Sequence, residues 1–403
     1  MSPGWGPWLR GGVTQRESPS GVIEPSATDR TSGGRIEPLD GLRTIAIAFV
    51  VLYHVHMPFF TGGFVGVNVF YVLSGYLITG ILLRERSTTG HLRLGRFWFR
   101  RILRLYPALL AVVIVAGCLW FTLGDYDGGD VDAWTAIILA LTYTSNIGRW
   151  LFHKSLGVLA QTWSLGMEEQ FYLVWPPILA IILRRRTRGV IVVCVLAALV
   201  VLSSVLGWVL YAPRGGTATP DIYFSPILNA GPLLMGCLLA IGLRNPRVTD
   251  ALAGRLGTIL TWAGAASLIG IEFSILKGWQ GTPATFGVVL PLAGLASMVL
   301  VAGLVCRPTP LSRALSFSPV AWFGRNASYS LYIWHPLVFA LVLPMVPGLA
   351  GKFAAIAASV AVAIASHYAI ELPFGKLKDR FEPRGKSQQL AQQVELEPAS
   401  SGA

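Results

Sequence analysis

The chain has 403 residues, of which 53% are hydrophobic and only 13% charged. Soluble domains carry about 25% charged residues, so this composition excludes an ordinary soluble enzyme and reads as a polytopic membrane protein. The net charge of +12 would suggest nucleic acid in a soluble chain. Here the basic residues cluster between apolar runs, where they set topology and meet the anionic lipid of the bilayer, and no nucleic acid is expected as a partner.

Residues 1–34 are rich in Gly, Ser, Pro and Thr and contain no apolar h-region. They read as a disordered cytoplasmic tail ahead of an uncleaved first anchor. Apolar runs follow near 42–57, 64–83, 105–123, 156–183, 189–211, 225–243, 256–276, 284–306, 328–346 and 353–371. By the ~20-residue criterion the expected fold is all-α, a polytopic transmembrane bundle of about ten helices. A further run at 134–147 is too short for a span and reads equally well as re-entrant or interfacial.

The connectors at 84–104, 184–189, 244–248 and 307–313 are rich in Arg, and the tail after 375 adds Lys and Arg. Those at 125–132, 212–224 and 277–283 are poor in both, Arg214 and Lys277 apart. Ten spans with both termini cytoplasmic put every basic connector inside, as the positive-inside rule asks. The expected organisation is a tail at 1–34, a transmembrane domain at 35–375 and a polar cytoplasmic tail at 376–403, in a multi-pass plasma-membrane protein.

Within the first span, Arg43 and His54 are eleven positions apart. At ~100° and ~1.5 Å per residue they share one face, roughly 16 Å apart along the axis. Ionisable groups are costly in a bilayer and normally face a bundle interior, a cavity or a ligand; either residue alone is equally at home at an interface. In the second span, Asn68, Ser74 and Thr79 suit interhelical hydrogen bonds, and Gly66, Gly75 and Gly80 suit close packing. RFWFRRILR at 96–104 reads as a helix on the inner membrane surface or as a guanidinium cluster for a phosphate. In the fourth span Glu168 shares a face with Ser164, Phe171, Tyr172 and Trp175, an aromatic stripe around one acid. His335 precedes Pro336, whose missing N–H suits a kink beside a cavity, and Glu371 reads as interfacial. Cys118, Cys194, Cys237 and Cys306 have no paired spacing and read as small core hydrophobes, with no metal site expected.

Six pieces in order are LDGLRTIAIAFVVLYHV, GVNVFYVLSGYLIT, FWFRRILRLYPAL, TWSLGMEEQFYLVWP, SYSLYIWHP and SHYAIELP. Together they make the chain resemble, over about 35–375, the acyltransferase 3 family of integral membrane O-acyltransferases. The resemblance implies a ten-helix bundle and cytoplasmic acyl-CoA as co-substrate, acetyl-CoA first, with no bound cofactor. It implies as acceptor a sugar hydroxyl of a surface glycan, exopolysaccharide or macrolide. By position His54 matches the family's catalytic histidine, Arg43 its partner and Glu168 the acid of the Glu-x-Gln-Phe-Tyr motif. The candidate substrate-binding residues are Asp40, Asn68, Ser74, Arg100, Arg101, Arg104, Trp163, Ser164, Gln170, Tyr172 and His335. The family usually has an acid where Asn68 stands, so no charge-based role is expected there. Some members carry a fused esterase-like domain after the last span; the short polar tail here leaves the reaction to the membrane domain or to a partner.

The mechanism expected is deprotonation of the acceptor hydroxyl by His54, or its transient acylation, with Arg43 holding the donor and Glu168 supporting the histidine. The competing class is a proton-coupled exporter of a glycan or antibiotic, which would also need intramembrane His and Glu. Acceptor, acyl length and homo-oligomerisation stay open at this stage.

Overall fold

Helix forms at every one of these apolar runs in the computed structural model, which describes residues 35–124, 129–185, 187–211, 221–274 and 282–380. The expected tail at 1–34, residues 381–403, and Arg214 and Lys277 lie outside the described residues. The helices are α1 (Glu37–His54), α2 (Gly66–Thr89), α3 (Leu94–Leu123), α4 (Ala133–Leu141), α5 (Ser145–Phe152), α6 (Thr162–Arg184), α7 (Gly189–Val209) and α8 (Pro226–Gly242). There follow α9 (Pro246–Ala253), α10 (Arg255–Ser274), α11 (Leu290–Cys306), α12 (Pro310–Leu315), α13 (Ser318–Asn326), α14 (Ser328–Val342), α15 (Gly348–Ser366) and α16 (Leu372–Arg380). Among the described residues there is no β-strand.

Five helical stretches are long and apolar enough to cross a membrane unaided: 63–89, 94–123, 189–209, 285–306 and 348–377. α8 and α9, bent by 96° where they meet, would together make a sixth. α1 falls outside this group because Glu37, Asp40 and Arg43 occupy its first two turns, and α14 because it has only 15 residues. α7 shows why the solvent must be lipid. Val190, Ile191, Val195, Val201, Leu202, Val205 and Val209 all face outward, and a helix apolar all round is stable only in an apolar medium.

The short run at 134–147 resolves into two pieces. Asp132 caps α4 by accepting from the backbone N–H of Thr135 at 3.0 Å, and the chain breaks at 142–144 before α5 begins. The RFWFRRILR segment is the start of α3, separated from α2 by a turn in which Gly90 takes φ +75°. The helix α16 crosses the expected boundary at 375, so the first residues of the expected tail are helical. Pro336 sits inside an unbroken α14. Of the cysteines, Cys237 and Cys306 are buried, whereas Cys118 and Cys194 are exposed on outward helix faces. An apolar run alone does not say which side of a helix meets its neighbours.

α1 is central, packing on α2, α13, α14 and α11. Its buried Leu39, Leu42, Ala46, Ile47, Val50 and Val51 recur at i, i+3, i+4 steps, as a stripe facing other helices must. α2 and α8 pack backbone against backbone. A Cβ on Gly75 would lie 2.0 Å from the Leu233 carbonyl oxygen, and one on Gly236 would lie 2.2 Å from that of Val72. Gly66 is similarly tight against Ala46, but Gly80 has nothing within 4 Å. The two outcomes separate cleanly: Gly80→Ala is expected to be neutral or to raise stability by about 0.5–1 kcal/mol, while Gly75→Ala lowers it. A melting curve of each purified variant checks this, and equal destabilisation would contradict the packing.

Candidate active site

An open cavity, about 690 Å³ counting the open solvent at its mouth, lies between α1, α2, α3, α6 and α14. Arg43, Arg101 and Arg104 line it together with Ser74, Ser164, Glu168, Tyr71, Tyr329 and Tyr332. The helices bring these residues in at regular steps. Arg101 and Arg104 are i, i+3 on α3, and Ser164 and Glu168 are i, i+4 on α6.

The carboxylates organise one wall. Glu168 accepts from the Ser74 hydroxyl at 2.9 Å and from the Tyr172 hydroxyl at 3.0 Å. Arg101 lies 3.9 Å from Glu168 and 3.5 Å from Glu169, with its guanidinium 3.4 Å above the Tyr172 ring. Trp98 donates to the Tyr172 carbonyl at 2.9 Å, tying α3 to α6. Arg101 is thus neutralised by its own wall. Arg43 has Asp40 at 3.9 Å, and Asp40 is shared with Arg35 at 3.1 Å. Among the described residues Arg104 has no carboxylate within ion-pair distance, although Glu371 is near enough to interact with it electrostatically. The cavity therefore offers a guanidinium with no direct ion pair, the group suited to planar recognition of a phosphate or carboxylate.

His54 closes α1. Its Nδ1 donates to the Val50 carbonyl at 2.7 Å, so in the neutral ring Nε2 carries the lone pair. Edge-on to it, with ring centroids 5.0 Å apart, stands His335. His335 is fully buried, its Nδ1 donates to the Leu331 carbonyl at 3.0 Å, and its Nε2 has no hydrogen-bond partner. Tyr332 and Phe339 flank it at 5.9 and 5.5 Å. In order of contact, the path runs from the cavity to Tyr332, then His335, then His54.

Of the sequence candidates, Arg43, Ser74, Arg101, Arg104, Ser164 and Glu168 meet at the cavity, Tyr172 braces it, and Asp40 reaches it through Arg43. His335 joins His54 rather than the cavity wall. Asn68 is placed elsewhere: it donates to the Leu290 carbonyl at 2.9 Å and lines a separate small cleft with Asn229. Trp163 packs on Tyr223 and Phe224 in the core. Gln170 anchors α5 through Asn146 and the Tyr143 carbonyl. Arg100, on the next face of α3, is not part of the cavity lining. Asn68 and Gln170 are satisfied by groups on other segments, which sequence position does not reveal. No hydrogen bond joins Glu168 to His54.

Two residues of this neighbourhood lie outside the site candidates that the sequence offers. Tyr332 lies i, i+3 from His335 on one face of α14, a signal available in SYSLYIWHP. Glu371, read as interfacial, accepts from Ser330 and lies 3.8 Å from His367. Among the described residues no three His, Cys, Asp or Glu side chains converge as a metal site.

The comparisons with known proteins bear on the chemistry. Residues 36–371 match the Acyl_transf_3 family, described as an acyltransferase domain. The chain is 32% identical over 365 residues to the peptidoglycan O-acetyltransferase OatA of Listeria monocytogenes, covering 87% of this chain and 57% of that one. It is 33% identical over 330 residues to YrhL of Bacillus subtilis, provisionally named a peptidoglycan O-acetyltransferase, covering 77% and 49%. A provisionally named O-acetyltransferase of Staphylococcus aureus is 30% identical over 322 residues, covering 76% and 51%. The chain spans about half the length of these curated relatives. No solved structure matches. A match through nearly the whole helical region, carrying the cavity and both histidines, places the chain in the Acyl_transf_3 family as an acyltransferase.

Proposed function

We propose that the chain is a membrane O-acyltransferase that moves an acyl group, acetyl first, from acyl-CoA to a hydroxyl of a sugar-containing acceptor. The observation that carries this reading is α1. Its one face presents Arg43 to the arginine-lined cavity and, roughly 16 Å further along, an exposed His54 whose Nε2 lone pair is set by the bond from Nδ1 to Val50. That length is comparable to an extended pantetheine arm, so the nucleotide end belongs at the arginines and the thioester near His54.

In this reading about ten helices cross the bilayer, both termini are cytoplasmic, and the cavity opens to the cytoplasm. Arg104 and Arg43 hold a donor phosphate. His54 Nε2 takes the proton of the acceptor hydroxyl as its oxygen attacks the thioester carbonyl. The C–O bond forms, the C–S bond breaks, and the proton passes to the departing thiolate. Transient acylation of His54 would use the same lone pair. Glu168 supports the site through its wall, holding Ser74, Tyr172 and Arg101 in place. The names of the relatives favour a cell-wall glycan over a macrolide as acceptor.

The test is label transfer from acetyl-CoA by purified protein to a panel of glycans and macrolides. Arg43→Ala is expected to raise the KM for acyl-CoA by about 10–100-fold, the worth of a lost charge-assisted bond, with a smaller change in kcat. An unchanged donor KM would remove Arg43 from the donor site. Flux of an unmodified glycan with no label transfer would return the reading to proton-coupled export.

A further inference from the structure

Glu371 stands one layer behind the donor cavity. It ends the wide turn His367–Glu371 that joins α15 to α16, in which the Leu372 N–H bonds to the carbonyl five residues back, at His367. Such π-turns are frequent at functional sites. The turn packs on α3, the helix that carries Arg104. Two consecutive residues of α14 fix how the turn and α3 meet. The Tyr329 hydroxyl donates to the carbonyl of Leu105, the residue after Arg104, at 2.8 Å, and the Ser330 hydroxyl donates to Glu371. Tyr329, Leu105 and Arg104 line the cavity, whereas Glu371 does not. The carboxylate interacts with Arg104 through space without a direct ion pair. The other basic group facing it, His367, is 3.8 Å away. The Glu371 side chain is only 14% exposed, so water screens its charge in part.

We infer that Glu371 is a built-in counter-charge of the donor site, acting through Arg104 to hold the affinity for CoA low enough that the spent donor leaves. The inference rests on the reading of the cavity as the donor site. A phosphate brought to Arg104 is attracted by the guanidinium and repelled by the carboxylate behind it. Because the carboxylate stops short of an ion pair, it lowers this attraction without occupying the guanidinium's donors. Acyl-CoA and CoA carry the same phosphates, so substrate and product are weakened alike. Uniform binding of this kind sets KM and does not raise kcat. Glu371 touches no reacting atom in this arrangement.

The experiment titrates free CoA into the full chain by calorimetry, beside acetyl transfer to the acceptor found with labelled acetyl-CoA. Glu371→Gln removes the charge and keeps an oxygen that can accept from Ser330. It is expected to tighten CoA about three- to tenfold, the effect of one charge several ångströms away across a partly screened site. The KM for acetyl-CoA should fall in step, with kcat not raised. Glu371→Asp keeps the charge and should stay near the wild-type Kd. A carboxylate needed only for packing would act in the opposite direction, because its loss loosens the wall and weakens CoA. A wild type that binds CoA, with a folded Gln variant that binds it equally or more weakly, would overturn the inference alone. An Asp variant that tightens CoA as much as Gln would also overturn it, since the charge would then not be the cause. A wild type that binds no CoA would overturn the donor reading and this inference with it.

Discussion

Replacing His54 with alanine is expected to lower acyl transfer by about 10²–10⁴-fold, the range supplied by a positioned general base. The fold should survive the change. His54 ends α1 at an exposed position, and its one hydrogen bond is to the carbonyl four residues back on its own helix. The loss should therefore fall on kcat, with acyl-CoA still bound, because the arginines lie at the other end of α1. Turnover by label transfer and donor binding by calorimetry separate these two quantities. A His54→Ala protein retaining a tenth or more of the wild-type rate would remove the histidine from the chemistry.

The second large effect is expected far from any reacting atom, at Gly324. A Cβ there would lie 1.8 Å from the Asp40 carbonyl oxygen and 2.7 Å from the Thr44 hydroxyl oxygen. On the facing side of α1, a Cβ on Gly41 would lie 2.0 Å from the Leu315 carbonyl oxygen. Thr44 further pins the contact by donating to the Val320 carbonyl at 2.6 Å. The first turns of α1 are thus clamped between α12 and α13, and Arg43 is carried on the clamped segment. Gly324→Ala must push the helices apart, which costs about 1–3 kcal/mol or more in a well-packed interior. The expected outcome is a lower melting temperature together with a raised donor KM, since Arg43 moves with α1. Gly80→Ala serves as the control, having no neighbour to meet. A Gly324→Ala protein with wild-type melting and donor KM would show that α1 is not positioned by this contact.

Much of the site could be read before any coordinates. Arg43 and His54 share a face because rotation per residue in a helix is a property of the backbone itself. The same holds for Ser164 with Glu168 and for Tyr332 with His335, although a tyrosine in an aromatic-rich span reads equally well as packing. The apolar runs located the helices, since a lipid-facing segment needs a long stretch without charge. The six motifs placed the chain in its family.

What sequence could not supply was which helix faces which. Glu168 was expected to support His54 directly; its bonds run to Ser74 and Tyr172, and His54 meets His335 instead. Asn68 was grouped with the site and lies in another cleft. These outcomes depend on how far each helix is turned about its axis when it docks. That turn is set by contacts between distant segments, such as Gly75 on Leu233 and Gly324 on Asp40, where the absence of a Cβ lets two backbones meet. The sequence by itself determined the helices, the residues sharing a face within each, and the family. The tertiary structure alone decided the partners across helices, because hydropathy records that a residue is apolar but not which neighbour it will touch.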